Sequence, residues 1–411
     1  MLSRRNINKR SAESLILFLV SPFFSVPFLI FNAFKRNIFS IRLLLLILSL
    51  ICFLFIPNFD HDKTRYIERY EYFKYISIDS FLFYLKVNSS DYVFIGLIFI
   101  FAKIGIPLEY LLGLLAFITL TLLFNSLKKC INFKTIDSRS FNIFIALFFL
   151  SISLPALFSG VRFLLGASFF LNAFYYLIIE RKKTLGIVFY FISFQIHFSL
   201  IFFLPALLVL YFDSRGKINY VLIFILSCLF SVVSATQLMT LISALDIGGN
   251  IADKINVYLL GEDFLNNAAE QNFANYIVYL IGIAWYIPSV VYIFLRRGEL
   301  NNDHFLLKFS NYVLLFFAFS NIFYNIPTVF SRYISLSKYI MIMFLILDIY
   351  SFRRVKYKIW LYSIITLFAL NILVSLNAFR YNLAKSLYKI DTISIFTILE
   401  ERVTTDELLN N

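Results

Sequence analysis

The stretch Ser159-Gly-Val-Arg162-Phe-Leu-Leu-Gly166-Ala-Ser-Phe-Phe-Leu-Asn172-Ala-Phe-Tyr-Tyr-Leu-Ile-Ile179 decides the fold. It is an apolar run with one arginine at its head and Glu180-Arg-Lys-Lys183 at its foot. At 1.5 Å per helical residue it carries the chain across most of a hydrocarbon layer about 30 Å thick. A second apolar run follows and closes on Gln195-Ile-His197-Phe-Ser199, so an arginine and a histidine sit at the ends of neighbouring helices. An ionisable group beside hydrocarbon is costly and tends to mark a substrate path. Arg162 and His197 are therefore candidate site residues, the alternative being an arginine that snorkels to lipid headgroups.

Working outward, the whole chain has this character. Of its 411 residues 60% are hydrophobic and 15% charged, which excludes an ordinary soluble domain. Apolar runs of roughly 18 to 22 residues recur along its length. The expectation is an all-α fold: a polytopic, multi-pass transmembrane helical bundle of about 11 to 13 apolar segments in one integral membrane domain over residues 1–411, with the lipid bilayer as its medium. The first segment, Leu15 to Phe34, is interrupted by Pro22 and Pro27 and lacks a small-residue cleavage site, which argues against a removed signal peptide. Tyr92 to Gly105 is short and reads as interfacial or re-entrant. Cys52, Cys130 and Cys228 are scattered and have neither disulfide nor metal-ligand spacing.

The formal charge of +13 is informative through its distribution. Short loops at 35–42, 128–139, 181–183, 213–217, 296–303 and 353–358 hold eighteen Lys and Arg, and alternating crossings put them all on one face. The other face receives the polar stretches 58–91 and 236–272, the turn at Ser159 to Arg162, His197 and the turn at Pro327 to Arg332. These carry eight bases against eleven acids. Basic loops favour the cytoplasm, so 58–91 and 236–272 are expected to be two large external loops, the second a lid of short helices. The basic excess is then topological, and no nucleic-acid partner is expected. The tail, 377–411, is polar. One point stays open: if 58–91 is external, alternation places the basic N-terminus outside as well, unless segment 15–34 does not cross.

On this topology Arg162, His197 and Arg332 share the external face. Arginine suits a diphosphate because its planar fork stays ionised and gives bidentate, charge-assisted hydrogen bonds. Two arginines beneath polar loops would hold a polyprenyl diphosphate head group, with the isoprenoid tail among the many Phe side chains. Otherwise they are separate surface arginines beside a histidine satisfied by the backbone.

Four short motifs, in order, add a resemblance. Asp62-Lys-Thr-Arg-Tyr66-Ile-Glu-Arg-Tyr70 resembles the D-x-x-x-Y-x-x-x-Y element of EpsG-like and Wzy-type polysaccharide (O-antigen) polymerases. Gly160-Val-Arg162-Phe-Leu-Leu-Gly166-Ala167 resembles their arginine helix start, Ile196-His197-Phe198-Ser199 their I-H-x-S element, and Ser331-Arg332-Tyr333-Ile334-Ser335 their late arginine element. The chain departs from the family pattern at Asp60-His61, where a Gly-Thr pair is common, and at Phe163, where a Gln is. The resemblance implies a membrane glycosyltransferase in the bacterial inner (cytoplasmic) membrane that joins undecaprenyl-diphosphate-linked oligosaccharide repeat units on the outer face. Arg162 and Arg332 would stabilise the diphosphate leaving group, and His197 or Asp62 would be the general base. Tyr66, Tyr70, Ser199 and Tyr333 would be supporting residues. A chain-length regulator is a candidate partner, and neither a cofactor nor a metal is expected. An O-antigen ligase, a flippase of the same lipid-linked units, or an O-acyltransferase with His197 in a tunnel are the alternatives. A flippase would place its arginines in a midplane cavity between paired repeats.

Overall fold

The computed structural model describes residues 2–57, 61–88, 91–131, 136–213, 218–234, 237, 273–300, 303–380 and 382. The described residues are helical, without a strand among them. In chain order the helices are α1 (Leu2–Val20), α2 (Val26–Phe34), α3 (Ile38–Leu54), α4 (Asp62–Tyr75), α5 (Ile78–Asn88), α6 (Tyr92–Ile104), α7 (Leu108–Lys128), α8 (Ser138–Ser151), α9 (Leu154–Phe158), α10 (Val161–Phe174), α11 (Lys183–Ile196), α12 (Leu204–Phe212), α13 (Tyr220–Ser227), α14 (Phe273–Ala284), α15 (Tyr286–Arg297), α16 (His304–Asn321), α17 (Pro327–Leu347) and α18 (Val355–Ala378). Helices over Leu108–Lys128, Val161–Ile179, Tyr279–Arg297, Val329–Leu347 and Val355–Ala378 are long and apolar enough to cross a membrane, and shorter apolar helices stand among them. With no water in hydrocarbon, helices satisfy their own backbone groups, which is why such a sequence adopts this form. Most of the expected second external loop, 236–272, and the tail beyond 382 lie outside the described residues.

The described chain forms two compact units. One comprises residues up to Ala173, Thr184–Leu200 and the chain from Ser375; the other comprises Phe174–Lys183 and Ile201–Val374.

In the first unit α3 packs along α7, and Gly113 lets the two approach: a Cβ there would lie 3.3 Å from that of Phe53. At one end Arg36 donates to the Ile136 carbonyl at 2.7 Å and Lys129 to Asn172 Oδ1 at 3.2 Å, so Arg36, Lys129 and Ile136 share that end. The first apolar segment does not run through. The chain turns over residues 21–25, where Pro22 cannot donate to a helix, and α2 returns beside α1. Asn37 Nδ2 donates to Ser11 Oγ at 3.4 Å and the Ser14 and Ser40 hydroxyls are 3.0 Å apart, so entry and exit lie at the same end. That answers the parity question raised by the charge count.

The other end of this unit gathers the candidate residues. The polar stretch 58–91 is largely helical there, as α4 and α5, because Asp62, Tyr66 and Tyr70 recur at the helical period and turn one face inward. Tyr66 and Tyr70 are buried, as is Phe73. Phe81 of α5 stacks on Phe99 of α6 at 3.8 Å, and Gly105 ends α6 in the left-handed conformation (φ 77°), which glycine adopts without steric penalty.

In the second unit α16 lies between α13 and α17. Buried amides and hydroxyls pin these helices: Asn321 Nδ2 donates to Ser227 Oγ at 3.0 Å, Tyr286 donates to Asn321 Oδ1 at 3.0 Å, and Ser320 and Ser337 are 3.0 Å apart. Helix α17 starts at Pro327, where the missing N–H and fixed φ suit a first turn. The arginine expected in the turn before this helix, Arg332, therefore lies inside it, in its second turn.

Candidate functional site

The site in the first unit is built on the C-terminal end of α3. Lys63, the second residue of α4, is 2% exposed and donates from Nζ to three carbonyl oxygens there: Cys52 at 3.0 Å, Phe53 at 3.4 Å and Phe55 at 2.5 Å. The last carbonyls of a helix lack intrahelical partners and carry partial negative charge, so a buried ammonium is well matched to them. Burial pushes the lysine pKa down, opposed by the nearby Glu109 carboxylate. Phe55, fully buried, stacks on His61 and on Phe158 at 5.7 Å each. The root of α4 is thereby fixed against the segment that leads into α10.

Asp62 stands at that root. Its Oδ2 lies 3.5 Å from where a Cβ on Gly160 would be, so the carboxylate faces the turn that starts α10. It also meets Arg65 at 3.4 Å. Two residues beyond Gly160, the Arg162 guanidinium carbon lies 5.8 Å from the Tyr66 ring centroid and 6.0 Å from that of Phe94; the two rings meet edge-on at 4.8 Å. Cation–π attraction and the planar ring faces hold the arginine at the helix start instead of letting it snorkel outward. Tyr70 donates to the Ile106 carbonyl at 2.9 Å and anchors the far part of α4 beside the entry to α7.

Arg162 also has an anionic partner that the motifs did not single out. Its NH1 donates to Asp91 Oδ2 at 2.7 Å, and the two side chains are 17% and 12% exposed. The second oxygen of the same carboxylate, Oδ1, accepts the backbone N–H of Phe198 at 2.8 Å. Asp91 thus ties the start of α10 to the turn that follows His197. His197 itself is 5% exposed, its Nδ1 lies 2.8 Å from Ser199 Oγ, and its ring meets Phe163 edge-on at 5.2 Å. The end of α11 and the turn after it are pressed onto α10 at Gly166, where a Cβ would come within 3.2 Å of the His197 Cβ and 2.8 Å of Leu200 Cδ1.

Asp62, Tyr66, Tyr70, Arg162, His197 and Ser199 are therefore brought to one end of one unit. Arg332 and Tyr333 belong to the second unit. There Tyr333 is 2% exposed and its ring packs against Phe203 at 4.8 Å, Phe323 at 5.0 Å and Phe319 at 5.8 Å, a place in the aromatic core of that unit. Arg332 is half-buried. At the same end, Asn325 Nδ2 donates to the Ser231 carbonyl at 2.9 Å and to the Val233 carbonyl at 2.5 Å, fixing the segment from which 236–272 departs.

The motifs missed Lys63 and Asp91. Lys63 stands inside the quoted Asp62 to Tyr70 motif but reads there as one of several solvated charges. Asp91 precedes an apolar run and looks like a helix N-cap. Its side chain makes no cap hydrogen bond and goes instead to residues 71 and 107 positions away.

The sequence matches a family model named EpsG family over residues 38–389. The chain belongs to the EpsG family. This is a Wzy-like polymerase family, and the match covers all four motifs and reaches into both units. No curated protein and no solved structure matches the chain. Family and apolar helices together make it a multi-pass membrane protein.

Proposed function

We propose that this EpsG-family chain polymerises polyprenyl-diphosphate-linked oligosaccharide repeat units into a surface polysaccharide, by glycosyl transfer on the outer face of a bacterial cytoplasmic membrane. The observation that carries the reading is the half-buried Arg162 at the head of α10, whose leading turn at Gly160 faces Asp62, joined through Asp91 to the His197–Ser199 turn. In the reaction a hydroxyl of the acceptor sugar attacks the anomeric carbon of the donor glycan. The new C–O bond forms as the bond to the diphosphate breaks, and the leaving group takes the electron pair. Charge develops on the diphosphate, where a preorganised guanidinium is most effective. The hydroxyl proton goes to a base. His197 is one candidate, its Nδ1 oriented by Ser199, and the Asp62 carboxylate is the other. Arg332, on which the late arginine motif falls, is proposed as a further functional cation.

The test is conversion of purified undecaprenyl-diphosphate-linked repeat units to polymer by the protein in detergent or nanodiscs. Arg162→Lys and Arg332→Lys keep the charge and lose the fork, and each should slow polymerisation by roughly tenfold to a thousandfold. His197→Ala and Asp62→Asn separate the two candidate bases, since only the true base should lower the rate without weakening lipid-diphosphate binding. Near-normal polymerisation by Arg162→Ala would remove that residue from the mechanism.

A further inference from the structure

Arg162 is not waiting for its substrate with its charge uncompensated. Asp91 approaches it end-on, through one nitrogen, and uses its other oxygen on the Phe198 amide. Any diphosphate oxygen that reaches the same guanidinium enters beside an existing carboxylate in a mostly buried place, where like charges repel strongly. Bidentate binding of the diphosphate and retention of the Asp91 contact are therefore competing uses of one cation. Given the polymerase reading above, we infer that Asp91 is a resident counter-ion of Arg162 which a polyprenyl diphosphate head group displaces on binding. Because Asp91 also holds the Phe198 amide, its release transmits occupancy of the arginine to the turn that carries His197 and Ser199.

Two consequences separate this role from that of a structural ion pair. While Asp91 covers Arg162, the competent form is a fraction of the whole, so apparent affinity is reduced by that fraction. Removing the negative charge should then tighten binding of a diphosphate. The same change should slow turnover, because the link from the arginine to the histidine turn is altered. A pair that served only the fold would give the opposite binding result, since its loss would loosen Arg162.

The experiment uses the full chain in nanodiscs with geranylgeranyl diphosphate, a probe that carries the head group and a lipid tail but no sugar to transfer. Asp91→Asn keeps an oxygen to accept from Phe198 and drops the charge. It should bind the probe about tenfold more tightly than the unaltered protein, while polymer formation from lipid-linked repeat units falls. Arg162→Gln should bind weakly, and Asp91→Asn combined with Arg162→Gln should bind as weakly as Arg162→Gln alone. Unchanged or weaker probe binding by Asp91→Asn overturns the inference. Should that variant fail to accumulate, hydrogen exchange in the unaltered protein decides: saturating probe should speed exchange of the Phe198 amide, whose acceptor is released, and an unaltered or slower rate with probe bound overturns the inference. The two readings fail separately. Tightening in Asp91→Asn with no polymer formation by the unaltered protein leaves the ion-pair exchange standing and removes the polymerase, whereas Arg162-dependent polymer formation by the unaltered protein without tightening in Asp91→Asn does the reverse.

Discussion

Each unit contains an aspartate facing an arginine, and the two pairs are put together differently. In the second unit Asp348 takes both ends of the Arg296 fork, Nε at 2.7 Å and NH2 at 2.9 Å. It also accepts Tyr292 OH at 2.5 Å, and that hydroxyl lies 3.0 Å from Ser351 Oγ. Glu299 adds a further contact to Arg296 at 3.3 Å and gathers Arg354 and Lys356. In the first unit Asp91 meets Arg162 through one nitrogen and turns its other oxygen to a backbone amide. The Asp348 side chain is 3% exposed and that of Asp91 12%. A bidentate pair saturated by a tyrosine resists exchange, because any competitor must replace several bonds at once. An end-on pair can be traded for a ligand that offers the same arginine a better fork. The difference separates a lock at the basic-loop end of the second unit from a candidate binding element in the first unit, at the end away from that unit's own basic loops.

The sharpest way to break this comparison is to remove each arginine. Arg296→Ala leaves the Asp348 carboxylate buried without its cation and should cost about 3–5 kcal/mol, read as a lowered unfolding midpoint in detergent or as failure to accumulate in the membrane. Whatever protein folds should retain activity per molecule. Arg162→Ala should do the reverse, losing roughly a hundredfold to a thousandfold in polymerisation with a smaller change in unfolding midpoint. If Arg162→Ala mainly unfolds the protein, the two pairs are the same kind of object.

Gly166→Ala tests the first unit at its tightest packing. The new Cβ would lie 2.8 Å from Leu200 Cδ1, 3.2 Å from the His197 Cβ and 3.2 Å from the Ser193 carbonyl. A flexible leucine tip can yield; a helix carbonyl and a Cβ cannot. The expected cost is about 1–3 kcal/mol of overpacking, with a loss of activity out of proportion to the loss of folded protein because His197 is pushed. Activity that tracks the folded fraction alone would show that the histidine position is not critical.

Lys63→Met keeps much of the length and removes the ammonium from three carbonyls at the end of α3. About 1–3 kcal/mol should be lost, since those oxygens stay buried without their donor. Polymerisation should fall as well, because α4 carries Asp62 and Tyr66 to Arg162. Equal stability of this variant would mean that the carbonyls are served by the helix end itself.

What was legible in the sequence follows the range of each interaction. Helices declare themselves through local apolar runs, so the all-α, multi-segment reading agrees with the structure, as does the placement of α6 within one residue of the short apolar stretch from Tyr92. The inward face of α4 was written in the spacing of Asp62, Tyr66 and Tyr70, although polar composition suggested a loop. Helix α17 starts at Pro327 because proline suits a first turn, which moved Arg332 from a turn into a helix. Asp91 was out of reach for a different reason. Its partners are distant in sequence, and nothing local distinguishes an aspartate that caps its own helix from one that crosses to another.

The smallest expected effect belongs to Gly160, and it bounds the site from the other side. Glycine at the arginine helix start invites the reading that backbone must come close to something there. A Cβ at this position would meet Asp62 Oδ2 at 3.5 Å and the Ala156 carbonyl at 3.8 Å, both ordinary van der Waals distances, and the backbone is not in the left-handed region that would demand glycine. Gly160→Ala should therefore change stability by no more than about 0.5 kcal/mol, the range of an unremarkable surface substitution. The methyl group would nevertheless stand against the Asp62 carboxylate. If Asp62 is the general base, it must reach the acceptor hydroxyl past this position, and polymerisation should slow at normal stability while probe binding to Arg162 is unchanged. If His197 is the base, Gly160→Ala should leave the rate within about twofold. One conservative substitution thus divides the two candidate bases without removing either.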